Sequence, residues 1–212
     1  MTKAEVWHVL GAVLLMFVVA GFAFIVSGNS SGLLQVMVYS FVIVCIPVII
    51  KKAVAYSLDA NVEHRIWHFQ RYGFKPRAKF KKEMPFGVIL PLAISIVTLG
   101  AAQLMTFLTY ETRALKHRAA KRFGFYSYTE MTDSHNGLIG ASGVVVLLLI
   151  SFIAYFPGWE YLSKMAAFYA FWNMAPFSNL DGTQIFFGNR TLWSVLGVIV
   201  LIFVLYALFL PA

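Results

Sequence analysis

Apolar residues run almost without interruption from Val6 to Ser27 and again from Leu33 to Ile50, and the link between them, Gly28-Asn29-Ser30-Ser31-Gly32, consists of turn formers. Each run has the length, roughly 17 to 25 residues, that crosses the hydrocarbon of a bilayer as a helix. The pair therefore predicts a helical hairpin. The first run is too long for the apolar region of a signal peptide, and no small-residue cleavage pattern precedes Gly28, so it reads as a retained span. Three further apolar runs, Gly137 to Phe156, Tyr161 to Phe177 and Leu192 to Leu210, each predict a crossing.

Between these runs the pattern changes. Ala53 to Gln70 contains no Pro or Gly, so the second helix is expected to continue past Lys51 and to stop at Tyr72-Gly73. Its lower part would carry Asp59, Glu63, His64 and His68. Phe74 to Glu83, rich in Lys and Arg, reads as an exposed basic loop or short strand at headgroup level, attracted to anionic lipid. Pro85 to Tyr110 is apolar, but both of its flanks are basic, and a single crossing would put one of them on the wrong side. A bent or re-entrant hairpin interrupted at Pro91 or Gly100 removes the conflict. Glu111 to Asn136 is polar, with Arg113, Lys116, Arg118, Lys121 and Arg122 forming the basic face of an expected interfacial helix. Trp67, Trp159, Tyr161, Trp172 and Trp193 fall near span ends and read as interface anchors.

Composition narrows the class. Hydrophobic residues make up 60% of the 212 and charged residues only 12%, too little polar surface for a water-soluble core of this size. The net charge of +8 follows no nucleic-acid-binding pattern. All Lys and Arg except Lys3, Lys164 and Arg190 lie between Lys51 and Arg122, and the positive-inside rule places that region in the cytoplasm. Cys45, the single cysteine, has no disulfide partner. The expected fold is thus an all-α polytopic membrane protein of five to six transmembrane helices in one domain. It comprises an N-terminal hairpin (1–50), a core with a basic cytoplasmic insert, amphipathic or β-hairpin (51–190), and a last span (191–212).

An acidic residue at membrane depth is costly unless it is paired or ligates something. Asp181 is such a residue, in Asn173-Met174-Ala175-Pro176-Phe177-Ser178-Asn179-Leu180-Asp181-Gly182, where Pro176 breaks a span and Gly182 permits a sharp turn. The pattern Asn173, Pro176, Leu180, Asp181, Gly182 resembles the second motif of the site-2 proteases, intramembrane zinc metallopeptidases. The stretch Gln70-Arg71-Tyr72-Gly73-Phe74 is similar to the segment after the family's zinc helix in archaeal-type members. Gly137-Leu138-Ile139-Gly140-Ala141-Ser142-Gly143 is similar to the small-residue start of its middle core helix. The resemblance implies a site-2-protease-like core, with Asp181 as third zinc ligand, Asn173 and Pro176 receiving an extended substrate, and transmembrane segments of other proteins as partners.

The family's first motif is altered. A zincin carries His-Glu-x-x-His on one helix, so that both imidazoles face the metal and the Glu reaches the metal-bound water. Here Glu63-His64-Arg65-Ile66-Trp67-His68 has two His at the right spacing but Arg65 in place of the Glu. An ungapped match anchored on Gly73 instead sets Asn61 and Arg65 on the His positions. The candidate metal set is His64, His68 and Asp181, for zinc. Glu63 is the candidate base, although on a helix it lies about 200° around the axis from position 65. Asp59 and Glu63 paired with Arg65, His64 or Arg71 is the structural alternative. Three functions remain open at this point: a metallopeptidase homologue that binds or cleaves transmembrane segments, a non-enzymatic pseudoprotease acting as chaperone or scaffold, and a small transporter subunit.

Overall fold

A computed structural model describes residues 2–71, 79–115 and 131–209. The chain opens with the expected hairpin, α1 (Lys3–Ser27) and α2 (Ser30–Ser57). Gly28 closes α1 in the left-handed region, at φ 72°, and the Asn29 side chain caps α2 by accepting from the Gly32 N–H.

Helix α2 ends at Ser57 and does not reach Gln70. Asp59 takes a positive φ of 55°, and Ala60–Ile66 is a strand, β1, in which Ala60, Val62 and His64 are buried while Asn61 and Arg65 are exposed. Burial of period two overrides the absence of helix breakers. Strand β2 (Phe69–Arg71) pairs with β3 (Lys79–Met84), so the strand reading holds for the end of the basic segment. Helix α3 (Phe86–Val97) follows, then β4 (Leu108–Ala114), antiparallel to β1 with Ala60 opposite Ala114 and Ile66 opposite Leu108. The chain is completed by α4 (Asp133–Tyr155), α5 (Glu160–Met174), α6 (Asp181–Gly188) and α7 (Arg190–Leu208). The protein is therefore mostly helical, as expected; the described residues also form two small sheets, of which β2–β3 falls in the expected insert and β1–β4 departs from the all-α expectation.

Pro85 to Tyr110 doubles back. Helix α3 continues through Pro91, and the reversal comes at Leu99 and Gly100, with φ of 51° and 83°. Trp67 joins the two feet of this hairpin: its N–H donates to the Phe107 carbonyl at 2.8 Å and its carbonyl accepts from the Gly87 N–H at 2.9 Å. The tip rests on α1, where a Cβ on Gly100 would come within 3.0 Å of the Ala23 nitrogen.

Among the described residues four helices, α1, α2, α4 and α7, are long and apolar enough to cross a membrane. Helix α5 has 15 residues, about 22 Å at 1.5 Å per residue, short of the roughly 30 Å hydrocarbon. An apolar core including Met16, Ile43, Leu147, Met165 and Val200 runs through the bundle, and a smaller one of Ala55, Ala60, Val62, Tyr110 and Ile139 lies under the β1–β4 sheet. Large apolar side chains also cover the outside, among them Leu14, Phe41, Phe152 and Leu201. Most of the expected interface anchors also bond within the bundle. The indole N–H of Trp67, Trp172 and Trp193 donates to Ser178 Oγ, the Gln103 carbonyl and the Met174 carbonyl, and the Tyr161 hydroxyl donates to the Ala20 carbonyl. Trp159 is exposed. Of the expected interfacial helix, Arg113 lies on β4 and residues 116–122 lie outside the described residues.

Candidate functional site

The turn from Asn173 to Gly182 is built as its residue types require. Ala175, which precedes Pro176, is extended and ends α5. Ser178 takes a positive φ of 55°, and α6 starts on Asp181. A Cβ on Gly182 would lie 2.0 Å from the Met174 carbonyl oxygen. Only glycine lets the start of α6 approach the end of α5 so closely. Asn173 is buried and its side-chain amide donates to the Tyr169 carbonyl within α5, while Pro176 is exposed.

The Asp181 carboxylate, 2% exposed as a residue, accepts from the Lys51 ammonium at 2.5 Å. Lys51 comes from α2 and crosses α4 at Gly143, where a Cβ would lie 2.2 Å from Lys51 Cε. Its Nζ stands 4.9 Å from the centre of the Tyr110 ring, a cation–π contact. The Tyr110 hydroxyl donates to the Asn136 carbonyl at 2.6 Å and occupies space that a Cβ on Gly140 would take. The small residues of α4 thus make room for Tyr110 and Lys51. Burial raises the Tyr110 pKa well above its ordinary value, so the phenol stays neutral.

A second buried polar group adjoins the first. Glu5 of α1 receives the Lys52 ammonium at 2.7 Å, and its Oε1 accepts from both the backbone N–H and the Nδ1–H of His64, each at 3.2 Å. Lys52 also donates to the Val62 carbonyl. Helices α1 and α2 and strand β1 are tied together at this point. His64 Nε2 and Asp181 Oδ1 are buried and, among the described residues, have no hydrogen-bond partner.

These positions reorder the expected site. The Asp181 turn does meet the Asp59 to His68 segment, through Trp67 and Ser178 at 3.1 Å, but the carboxylate's partner is Lys51. Arg65 points outward, 3.6 Å from each of Glu63 and Glu111. Glu63 pairs with Arg65 and with Arg113 on the sheet surface, close to the structural alternative. His64 is buried on β1 while His68 lies past its end, exposed, with Nδ1 2.6 Å from the Ile66 carbonyl, so the two imidazoles do not share the helix face that the motif needs. The set His64, His68, Asp181 does not fit one tetrahedral zinc ion. Among the described residues no group of three or more His, Cys, Asp and Glu is placed to hold a metal. Lys51, Glu5 and Tyr110 were not singled out by sequence. Lys51 stands at the end of an apolar run, where a basic residue reads as topological charge.

Burial lowers the pKa of His64 below its ordinary 6.5, and the nearby Lys51 adds to the shift against Glu5 and Asp181. The unfolded chain therefore takes up this proton before the folded one does. His64 leaves stability intact above its ordinary pKa and lowers it as pH falls below that value. The unfolding midpoint in detergent is expected to drop between about pH 7.5 and about pH 5.5, with a smaller drop for His64→Gln. Equal drops would show that His64 is not the buried neutral group.

Beside this centre runs a polar groove of about 350 Å³, with Thr109 to Arg113 of β4 on one side and Asn179 and Gln184 on the other. Strand β4 pairs with β1 and, among the described residues, with no other strand. Tyr110 belongs both to the groove and to the ion-pair centre.

Together these features define a mostly helical protein with four helices suited to a membrane and a buried Lys–Asp pair beside an edge strand. Comparison of the chain with protein-family models, with curated proteins and with solved structures gives no match.

Proposed function

We propose that the chain is a multi-pass membrane protein with a site-2-protease-like core that receives an extended segment of another membrane protein and holds it without cutting it. The observation that carries this reading is the pairing of Asp181, buried in the Asn173 to Gly182 turn whose Asn179 lines a polar groove, with the Lys51 ammonium. Peptide hydrolysis by a zincin needs a metal to activate water and a carboxylate to take its proton. Helix α2, which faces Asp181, contains no His, Asp or Glu. One turn before Lys51 stand Pro47 and Val48, and one turn after it stands Ala55. In neither register does the helix offer the motif, and the ammonium repels a divalent ion.

The groove supports the binding half of the reading. An edge strand offers unpaired main-chain groups to an extended partner, and adjoining pockets select its side chains. The unwound end of a client transmembrane segment has that form. The basic end of the bundle, with both sheets, faces the cytoplasm in this reading, and zinc plays no part in it.

The test uses the full chain in liposomes with a tagged single-span polypeptide, and a photoreactive residue at Gln184 in the groove or at Leu201 on the exposed face of α7. Cross-linking to the intact polypeptide from position 184, well above that from 201, is expected. Equal yields from the two positions, or none from 184, would remove the groove as the binding site.

A further inference from the structure

At the end of the bundle remote from Lys51, the α1–α2 link and the α4–α5 link enclose a cavity of about 310 Å³. Helix α2 rises about 24 Å from Gln35, which lines this cavity, to Lys51, at about 1.5 Å per residue. The cavity shares no lining residue with the polar groove. Phe24, Tyr39, Trp159 and Tyr161 line it, and among the described residues Glu160 is its one charged group. The rings of Phe24 and Tyr161 stand at 87° with centres 5.4 Å apart, so they form a corner. That corner is fixed, because the Tyr161 hydroxyl donates to the Ala20 carbonyl at 2.6 Å and accepts from the Gln103 amide at 3.3 Å. Asn29 holds the facing turn, its Oδ1 accepting from the Gly32 N–H and the Ser31 hydroxyl. Glu160 is half-buried, and the ion pairs among the described residues do not include it.

These groups suit a cation with an apolar body. A ring face attracts positive charge through its quadrupole, and several rings around one point are the usual receptor of a substituted ammonium group. An anion would be repelled by Glu160. A metal ion would find one carboxylate and neither imidazole nor thiolate. We infer that this cavity binds an organic ammonium group, with the aromatic side chains around it and Glu160 as its counter-ion. Position favours a lipid headgroup as the source. Both links end helices suited to crossing the membrane, and Trp159, 53% exposed, stands where headgroups lie. Nothing in this site depends on what the polar groove holds.

The experiment takes the full chain in detergent, stripped of lipid, and adds phosphatidylcholine, phosphatidylethanolamine and a diacylglycerol with the same acyl chains. Native mass spectrometry reads the lipid retained per chain. Wild type is expected to retain the two ammonium lipids about tenfold more than the diacylglycerol, through ring and carboxylate contacts together. Glu160→Gln and Trp159→Leu should each cut that preference to about a third, whereas Glu83→Gln, on β3 at the other end, should leave it unchanged. A large excess of free choline separates the sources. Lipid that stays bound identifies the headgroup as the ligand, lipid that is displaced identifies a soluble amine, and either result upholds the ammonium site. Equal retention of all three lipids by wild type would overturn it. So would an undiminished preference in folded Glu160→Gln, or in folded Trp159→Leu should the glutamine variant not fold.

Discussion

Lys51→Met is expected to lower the stability of the folded chain in detergent by about 3–5 kcal/mol, the usual cost of leaving one member of a buried ion pair without the other. Asp181 is 2% exposed, and its Oδ1 has no partner among the described residues. Losing the ammonium would leave the whole carboxylate uncompensated in a nonpolar surround. The double variant Lys51→Met/Asp181→Asn removes both charges, so it should recover most of the loss, and the non-additivity measures the pair directly. Denaturant titration followed by helical circular dichroism reads both numbers. If Lys51→Met and Asp181→Asn simply add, the two side chains do not depend on each other and the centre described here does not exist.

Gly182→Ala is expected to be almost as costly, for a steric reason. The new Cβ would lie 2.0 Å from the Met174 carbonyl oxygen and 2.3 Å from its carbon, backbone atoms that cannot turn aside as a side chain can. Helix α6 must move away from α5, carrying Asp181 off Lys51. A loss of about 1–3 kcal/mol from overpacking is then joined by part of the ion-pair cost. Gly197→Ala on α7 is the control, since nothing lies within 4 Å of its added Cβ. That variant should stay within about 1 kcal/mol of wild type, on the stabilising side if helix propensity governs. Equal effects at 182 and 197 would contradict the close approach of α5 and α6.

The parts of the fold that were legible in the sequence are those with a local cause. Gly28 and Asn29 specify a helix stop and a helix cap, and the two apolar runs around them leave one arrangement. Pro176 and Gly182 likewise marked a turn that presents Asp181. The conflict of basic flanks around Pro85 to Tyr110 pointed to a chain that doubles back, although the reversal falls at Gly100, where a positive φ is needed, and not at Pro91, which α3 absorbs. What misled was a signal of absence. Ala53 to Gln70 lacks Pro and Gly, yet Ala60, Val62, His64 and Ile66 alternate with polar residues in the period of a strand, and β4, which supplies the pairing, lies 42 positions or more further along.

The site was half legible for a related reason. Asp181 is conspicuous because one carboxylate in an apolar stretch has few explanations. Its partner was hidden, because a lysine at the end of a span satisfies the charge rule for topology and invites no further question. Only the contact across 130 residues shows that Lys51 turns inward while Arg65, the cation nearest the expected motif, turns out to Glu63 and Glu111. His64 was found for the wrong reason. Helical spacing to His68 suggested it, whereas what the fold shows is its burial against Glu5.

The central claim, that this centre binds and does not cut, is tested most directly by incubating the full chain in liposomes with a tagged single-span polypeptide and added zinc, beside Asp181→Asn. The expected result is full-length polypeptide in both reactions for as long as the protein remains folded. Zinc-dependent fragments produced by wild type and lost in Asp181→Asn would contradict the account.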